Sequence, residues 1–137
     1  MPHDPELVAE TRAWVARAED DLRAGAIVLS AEPPLTAAVV FHAQQAAEKA
    51  MKGFLTWHSR PFRKTYNLTE IGGMCVGRDA SLEPLLRRAA MLTDYAWKFR
   101  YPGEPEYPPR EEAEEALDTA REVFDAILAR LPEEVRP

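Results

Sequence analysis

The sequence predicts an all-α chain: an antiparallel four-helix up-and-down bundle with an additional short helix, in a single domain over residues 1–137. Three observations carry that expectation. Apolar residues recur at steps of three and four along four long stretches, the spacing that lines one face of a helix. No stretch alternates with the period of two that a half-buried strand requires. The prolines gather between the stretches, where their missing amide and rigid ring end helices. Helices joined by short breaks bury their apolar stripes most simply by packing against each other.

The first helix starts at Asp4-Pro5-Glu6: a carboxylate to cap free amides, a proline in the first turn, an acid at the positive dipole end. Its stripe is Leu7, Thr11, Trp14, Ala18, Leu22, Ala26 and Leu29, running to Glu32 before Pro33-Pro34. The second helix covers Leu35 to His58. Asn67 with Glu70 reads as a capping box opening a short helix that Gly72-Gly73 should end. Ser81-Leu82-Glu83-Pro84 should cap a third long helix with the stripe Leu82, Leu85, Leu86, Ala89, Leu92, Ala96 and Phe99. RYPGEPEYPP cannot continue it. Pro109 opens the last helix, with Ala113, Ala116, Leu117, Ala120, Val123, Phe124, Ile127 and Leu131 facing inward.

A formal net charge of −6 argues against a general nucleic-acid clamp, since phosphates repel an acidic surface. The charge is uneven, however. Residues 48–64 hold Lys49, Lys52, Arg60, Arg63 and Lys64 against Glu48 alone, whereas residues 104–122 hold eight acids against two arginines. Such a molecule can dock phosphate, RNA or a partner locally. A lone Cys75 excludes an internal disulfide and fits a reducing compartment. The first residues, MPHDPELVAE, lack the basic and apolar segments of a secretory signal, and no apolar run reaches membrane-spanning length. A cytoplasmic protein is expected.

The second helix holds the most informative stretch, AVVFHAQQAAEKAMKGFLTW from Ala38 to Trp57. At 100° per residue it sorts into two arcs. Val39, Ala43, Ala46, Ala47, Ala50, Phe54 and Trp57 form a core seam; its alanines let a neighbouring helix approach closely. His42, Gln45, Glu48, Lys49, Lys52 and Thr56 leave the core together, with Phe41 and Leu55 beside them. A solvated face is one reading. The other is an interface, because His42, Gln45 and Lys49 form one row and large apolar area borders it. The interface expected is a homodimer built on Phe41, His42, Gln45, Glu48, Lys49, Lys52 and Leu55. Tyr95, Trp97 and Lys98 would extend that surface, unless one of them belongs to the core.

Four blocks together carry a resemblance: W-x-x-x-A-x-x-D-L-x-A (Trp14, Ala18, Asp21, Leu22, Ala24), then FHAQQAAEKAMK, then KTYNL, then RYPG. They resemble the HEPN family of prokaryotic helical domains over Trp14 to Phe124, the glutamine–alanine–glutamate–lysine block being the specific part. The resemblance implies an antiparallel helical bundle that dimerises, often paired with a minimal nucleotidyltransferase in toxin–antitoxin or similar two-component systems. Ribonuclease members carry an Arg and, after four to six intervening residues, a His, and two such motifs meet across the dimer to cut RNA without metal. Histidine moves protons near neutral pH while arginine steadies charge on phosphate.

This chain departs from that pattern in two places. Arg100 stands where the family's arginine stands, but the histidine positions hold Pro105, Glu106 and Tyr107. In the connector, where relatives commonly read lysine-threonine-histidine-aspartate, it has Lys64, Thr65, Tyr66 and Asn67. The expectation is therefore a binding or regulatory component with a degenerate nuclease motif; the alternative is a metal-independent RNase in which Arg100 works with His42 or Tyr107. A third reading is nucleotide or RNA binding without chemistry, at Lys49, Lys52, Lys98 and Arg100. His42 is open to a second reading as a hydrogen-bonded structural group, and RYPG to one as a helix terminator whose Arg100 meets the negative helix end. Tyr101 and Tyr107 are candidate sites of covalent modification by the partner. No metal ligation is expected from the spacing of His, Cys and carboxylates, and no phosphate loop or nucleophile elbow is present. No cofactor or membrane contact is expected.

Overall fold

Asp4 opens the first helix as the sequence predicts: its carboxylate accepts from the Glu6 amide at 2.9 Å, and α1 runs Pro5–Leu29. The computed structural model describes residues 3–103 and 106–137, and it is all-helical among the described residues. Further along the chain come α2 (Thr36–Trp57), α3 (Leu68–Arg78), α4 (Glu83–Ala89) and α5 (Arg110–Leu128). Short 3-10 segments cover Ala80–Leu82, Ala90–Ala96 and Glu133–Val135. No helix among the described residues is long and apolar enough to cross a membrane.

The inward face of α1 is rotated from the expected stripe. Thr11, Val15, Ala18, Leu22 and Gly25 are buried, while Trp14 is half-buried at the edge and Ala26 is exposed. Gly25 sits where α1 meets α5, since a Cβ there would lie 2.9 Å from Leu117 Cδ1. All eight inward residues expected of the last helix are buried.

α2 is the centre of the molecule. It packs most extensively on α1, next on α5, and also on α3 and the Ala90–Ala96 segment. A helix touched on several sides buries more than one seam, and this corrects the two-arc expectation. Val40, Gln44, Ala47, Met51 and Leu55 form a second buried stripe beside the first. Leu55 is therefore fully in the core rather than on the polar arc, and Glu48 and Lys52 are buried as well. None of the three leaves the core as expected.

Two further boundaries differ from expectation. Gly72-Gly73 does not end the short helix, which continues to Arg78. Gly72 is buried against Leu86 and Met51, so tertiary packing overrides the weak helix propensity of glycine. Only half of the capping box forms there. Asn67 Oδ1 accepts from the amides of Thr69 and Glu70 at 2.9 and 3.3 Å, while Glu70 is drawn to Arg63 and the Asn67 amide donates to Thr65 Oγ1.

The expected third long helix is short and ends in a tightened 3-10 run. Asp79, not Ser81, caps the 3-10 turn Ala80–Leu82 that leads into α4, accepting from the Ser81 amide at 3.0 Å and held by Arg130 Nε at 2.8 Å. Downstream, the Thr93 hydroxyl donates to the Ala90 carbonyl at 2.8 Å and accepts from the Leu68 amide at 3.1 Å. A side chain bonded to the preceding turn competes with the α-helical ladder. The stripe survives that change: Leu82, Leu86, Ala89, Leu92 and Ala96 are all buried.

Candidate functional site

The polar residues of α2 form two hydrogen-bonded groups inside one protomer, one around Asp21 and one around Gln44 and Glu48. Asp21, on α1 and nearly buried, accepts from His42 Nδ1 at 2.9 Å and from Lys49 Nζ at 2.6 Å. A carboxylate only accepts here, so His42 donates from Nδ1, and Nε2 is the ring's other nitrogen, free of any hydrogen-bond partner among the described residues. One turn further, fully buried Gln44 donates to Glu48 Oε1 and to the Tyr66 carbonyl, both at 3.1 Å, and accepts from Gln45 Nε2 at 2.7 Å. Glu48 in turn accepts from Lys52 Nζ at 2.9 Å.

Lys52 is shielded as well as paired. Its ammonium lies 5.6 Å from the Trp14 ring centroid and 5.7 Å from that of Phe62. The two rings stand edge to face, 6.1 Å apart. Aromatic faces attract a cation, and here they also exclude water from a charge that would otherwise be solvated. The nucleotide-binding expectation for Lys49 and Lys52 thus meets two amines already bonded to carboxylates, one of them buried.

A second cluster lies where the 3-10 run Ala90–Ala96 ends. Phe99 turns inward, half-buried and stacked on Tyr95 with centroids 6.0 Å apart. Tyr95 is pinned by its hydroxyl, which donates to Glu112 Oε2 at 2.7 Å. Burial first, and then the facing Glu112 carboxylate, hold that phenol well above its ordinary range. Around Phe99, the residues Trp97, Lys98, Arg100 and Tyr101 are exposed. The Arg100 amide closes a turn on the Trp97 carbonyl at 3.2 Å. Arg100 Cζ lies 5.4 Å from the Phe41 ring and 5.7 Å from the Tyr101 ring.

Phe41 is thus the link between the two clusters, because its ring also meets His42 edge-on at 5.6 Å. Arg100 and His42 each lie against the Phe41 ring, while Lys98 stands apart over Phe99 at 5.4 Å. Of the expected histidine positions, Pro105 lies outside the described residues, while Glu106 and Tyr107 are exposed. Tyr107 lines a groove of about 580 Å³ with Pro33, Leu35 and Ala38 at the start of α2. Tyr101 and Tyr107 both present their side chains to solvent.

Of the connector replacements, only Asn67 has a structural duty for its side chain; Tyr66 contributes its backbone and leaves its ring exposed. The Tyr66 carbonyl receives Gln44, and Asn67 caps α3. His58, at the end of α2, accepts from Arg78 Nε at 3.2 Å. Burial and the Arg78 charge lower its pKa, and it takes no part in either cluster. Cys75 is buried, which pushes its thiol up to about 12. Among the described residues no group of three or more His, Cys, Asp or Glu could hold a metal ion.

Two members of these groups were missed as site residues by sequence reasoning. Gln44 falls on the arc of Val40, Ala47 and Met51, so its amide had to be buried and fully bonded. Asp21 stands on the first helix, one residue before the buried Leu22, with His42 and Lys49 as its donors. The model of the HEPN domain family matches residues 11–131, which contain every residue of both clusters. No curated protein and no solved structure matches the chain.

Proposed function

The chain belongs to the HEPN domain family, and from that premise we propose that it is the binding or regulatory half of a two-component, toxin–antitoxin-like system. Its partner is a minimal nucleotidyltransferase, and it works in the cytoplasm as a homodimer of antiparallel four-helix up-and-down bundles. The observation that carries this reading is Arg100. Its exposed guanidinium lies over Phe41, whose ring also meets His42, yet no histidine follows it in the chain. The arginine that would steady phosphate charge is retained without the base that would complete nuclease chemistry. Nucleotide or RNA is then held at Arg100 and Lys98 rather than cut. Because Glu48, Lys52 and Leu55 are buried within the protomer, the dimer face narrows to Phe41, His42, Gln45 and Lys49. Tyr101 and Tyr107 are the phenols that a nucleotidyltransferase would reach.

Incubation of the purified protein with total RNA, alongside Arg100→Ala, tests the central point. Intact RNA with both proteins, and co-elution with a nucleotidyltransferase encoded beside the gene, agree with the proposal. Arg100-dependent cleavage overturns it. The dimer face is tested separately by the mass of Phe41→Glu in solution, which should be that of a monomer.

A second reading rests on a specific geometry. The Asp21–His42 bond fixes the imidazole through Nδ1, the arrangement of a general base held by a carboxylate. In this reading Arg100 and His42 together form an RNase site. His42→Ala and Asp21→Asn should then abolish any Arg100-dependent cleavage.

A further inference from the structure

The stretch Trp97-Lys98-Phe99-Arg100-Tyr101 alternates aromatic rings with cations, and the fold treats its middle ring differently from the outer two. Phe99 is the anchor, stacked on Tyr95, which Glu112 holds in place. The two flanking rings stay out, Trp97 at 50% exposure and Tyr101 at 69%. Large aromatic side chains left this exposed on both sides of a half-buried anchor are not required by the core. Between them, Lys98 and Arg100 form no ion pair among the described residues. Other exposed cations such as Arg17 and Arg23 share that, and what distinguishes these two is the exposed ring on either side. Arg100 is also tied to α2 through Phe41, so the segment rests on the helix at the centre of the molecule.

We infer that this turn is a base-stacking platform for single-stranded RNA: Trp97 and Tyr101 take the faces of unstacked bases, and Lys98 and Arg100 take the phosphates between them. The inference rests on the nucleotide or RNA contact proposed above for Lys98 and Arg100, and adds which form of nucleic acid binds and by what chemistry. Charge decides between the forms. A duplex hides its base faces and offers this surface only phosphates, and two cations on a chain of net charge −6 attract those weakly. A single strand adds stacking, which every base can supply regardless of sequence. Aromatics interleaved with cations suit that combination.

The test is fluorescence anisotropy of the full chain with three labelled probes. These are an oligoadenylate of about ten nucleotides, within the span that single-strand sites cover, a ribose-phosphate strand of the same length without bases, and an RNA duplex. The oligoadenylate should bind about tenfold or more tighter than the abasic strand, and the duplex no better than the abasic strand. Trp97→Ala and Tyr101→Ala should each cost about tenfold on the oligoadenylate and leave the abasic strand unaffected, with Trp97→Phe restoring affinity. Lys98→Ala should weaken both strands and lower the salt slope by about 0.7. Equal binding of abasic and base-bearing strands overturns the stacking platform while leaving phosphate contact at Arg100 intact. Absence of binding to any probe overturns the platform and the RNA contact together. A Trp97→Ala variant that changes the mass of the assembly but not its RNA affinity makes the turn a protein contact and overturns the platform alone.

Discussion

Lys52 and Lys98 are the same residue in opposite circumstances. Lys52 lies on α2, bonded to a carboxylate one turn back and covered by Trp14 and Phe62. Lys98 lies on a short turn, exposed, with an aromatic ring beneath it and no acid paired to it among the described residues. Charge density along the sequence points the other way, since Lys52 is the one inside the basic stretch 48–64. What separates them is the number of neighbouring elements: α2 is wrapped by α1, α5, α3 and the Ala90–Ala96 run, so its charges must be paired internally. The Trp97–Tyr101 turn is held mainly through Phe99 and Arg100, so its other charges stay available. Within the block from Phe41 to Lys52, Gln44, Glu48 and Lys52 are thus committed to internal bonds, and the exposed cations Lys98 and Arg100 lie outside it.

The largest effect expected from breaking this contrast is on stability. Lys52→Ala leaves Glu48 buried without its cation, which should cost about 3–5 kcal/mol in urea unfolding. The matching change Lys98→Ala should stay within about 0.5 kcal/mol. Equal losses would place both lysines in the same class. Next comes Asp21→Asn, which exchanges a carboxylate serving two donors for an amide that serves them poorly. A loss of about 1–3 kcal/mol is expected, and an unchanged midpoint would mean that His42 and Lys49 do not depend on Asp21.

The smallest effect concerns His58, where a cation, Arg78, faces an imidazole rather than a carboxylate. Burial and Arg78 lower the folded-state pKa below 6.5. The unfolded chain therefore binds the proton more readily, and the stability His58 contributes is present above pH 6.5 and lost as pH falls through the folded value. Arg78→Ala should shrink that loss in pH-dependent unfolding. A pH profile identical in both proteins would remove Arg78 as a cause.

How much of this was legible in the sequence depends on how many elements touch each residue. The inward face of α5 was readable in full, because a helix packed on one side obeys a simple period. α2 was not, since contact on several sides buries a second stripe through Gln44 and Leu55. Helix continuation through Gly72-Gly73 was hidden for a related reason: Leu86 and Met51 supply packing that local propensity cannot reveal. Arg100 was identified from its motif, whereas its contact with Phe41 joins residues far apart in the chain and exists only in the fold. The Asp21–His42 and Asp21–Lys49 bonds likewise cross from α1 to α2, beyond the reach of spacing within one helix.

Lysine acetylation followed by mass spectrometry, with and without the oligoadenylate, tests the division between scaffold and contact surface most directly. The structure predicts that Lys52 stays unmodified until the protein unfolds, while Lys98 reacts readily in the free protein and is protected by the RNA. Acetylation of Lys52 at the rate of Lys98 in the folded protein, or RNA protection that falls on Lys52 and spares Lys98, would contradict it.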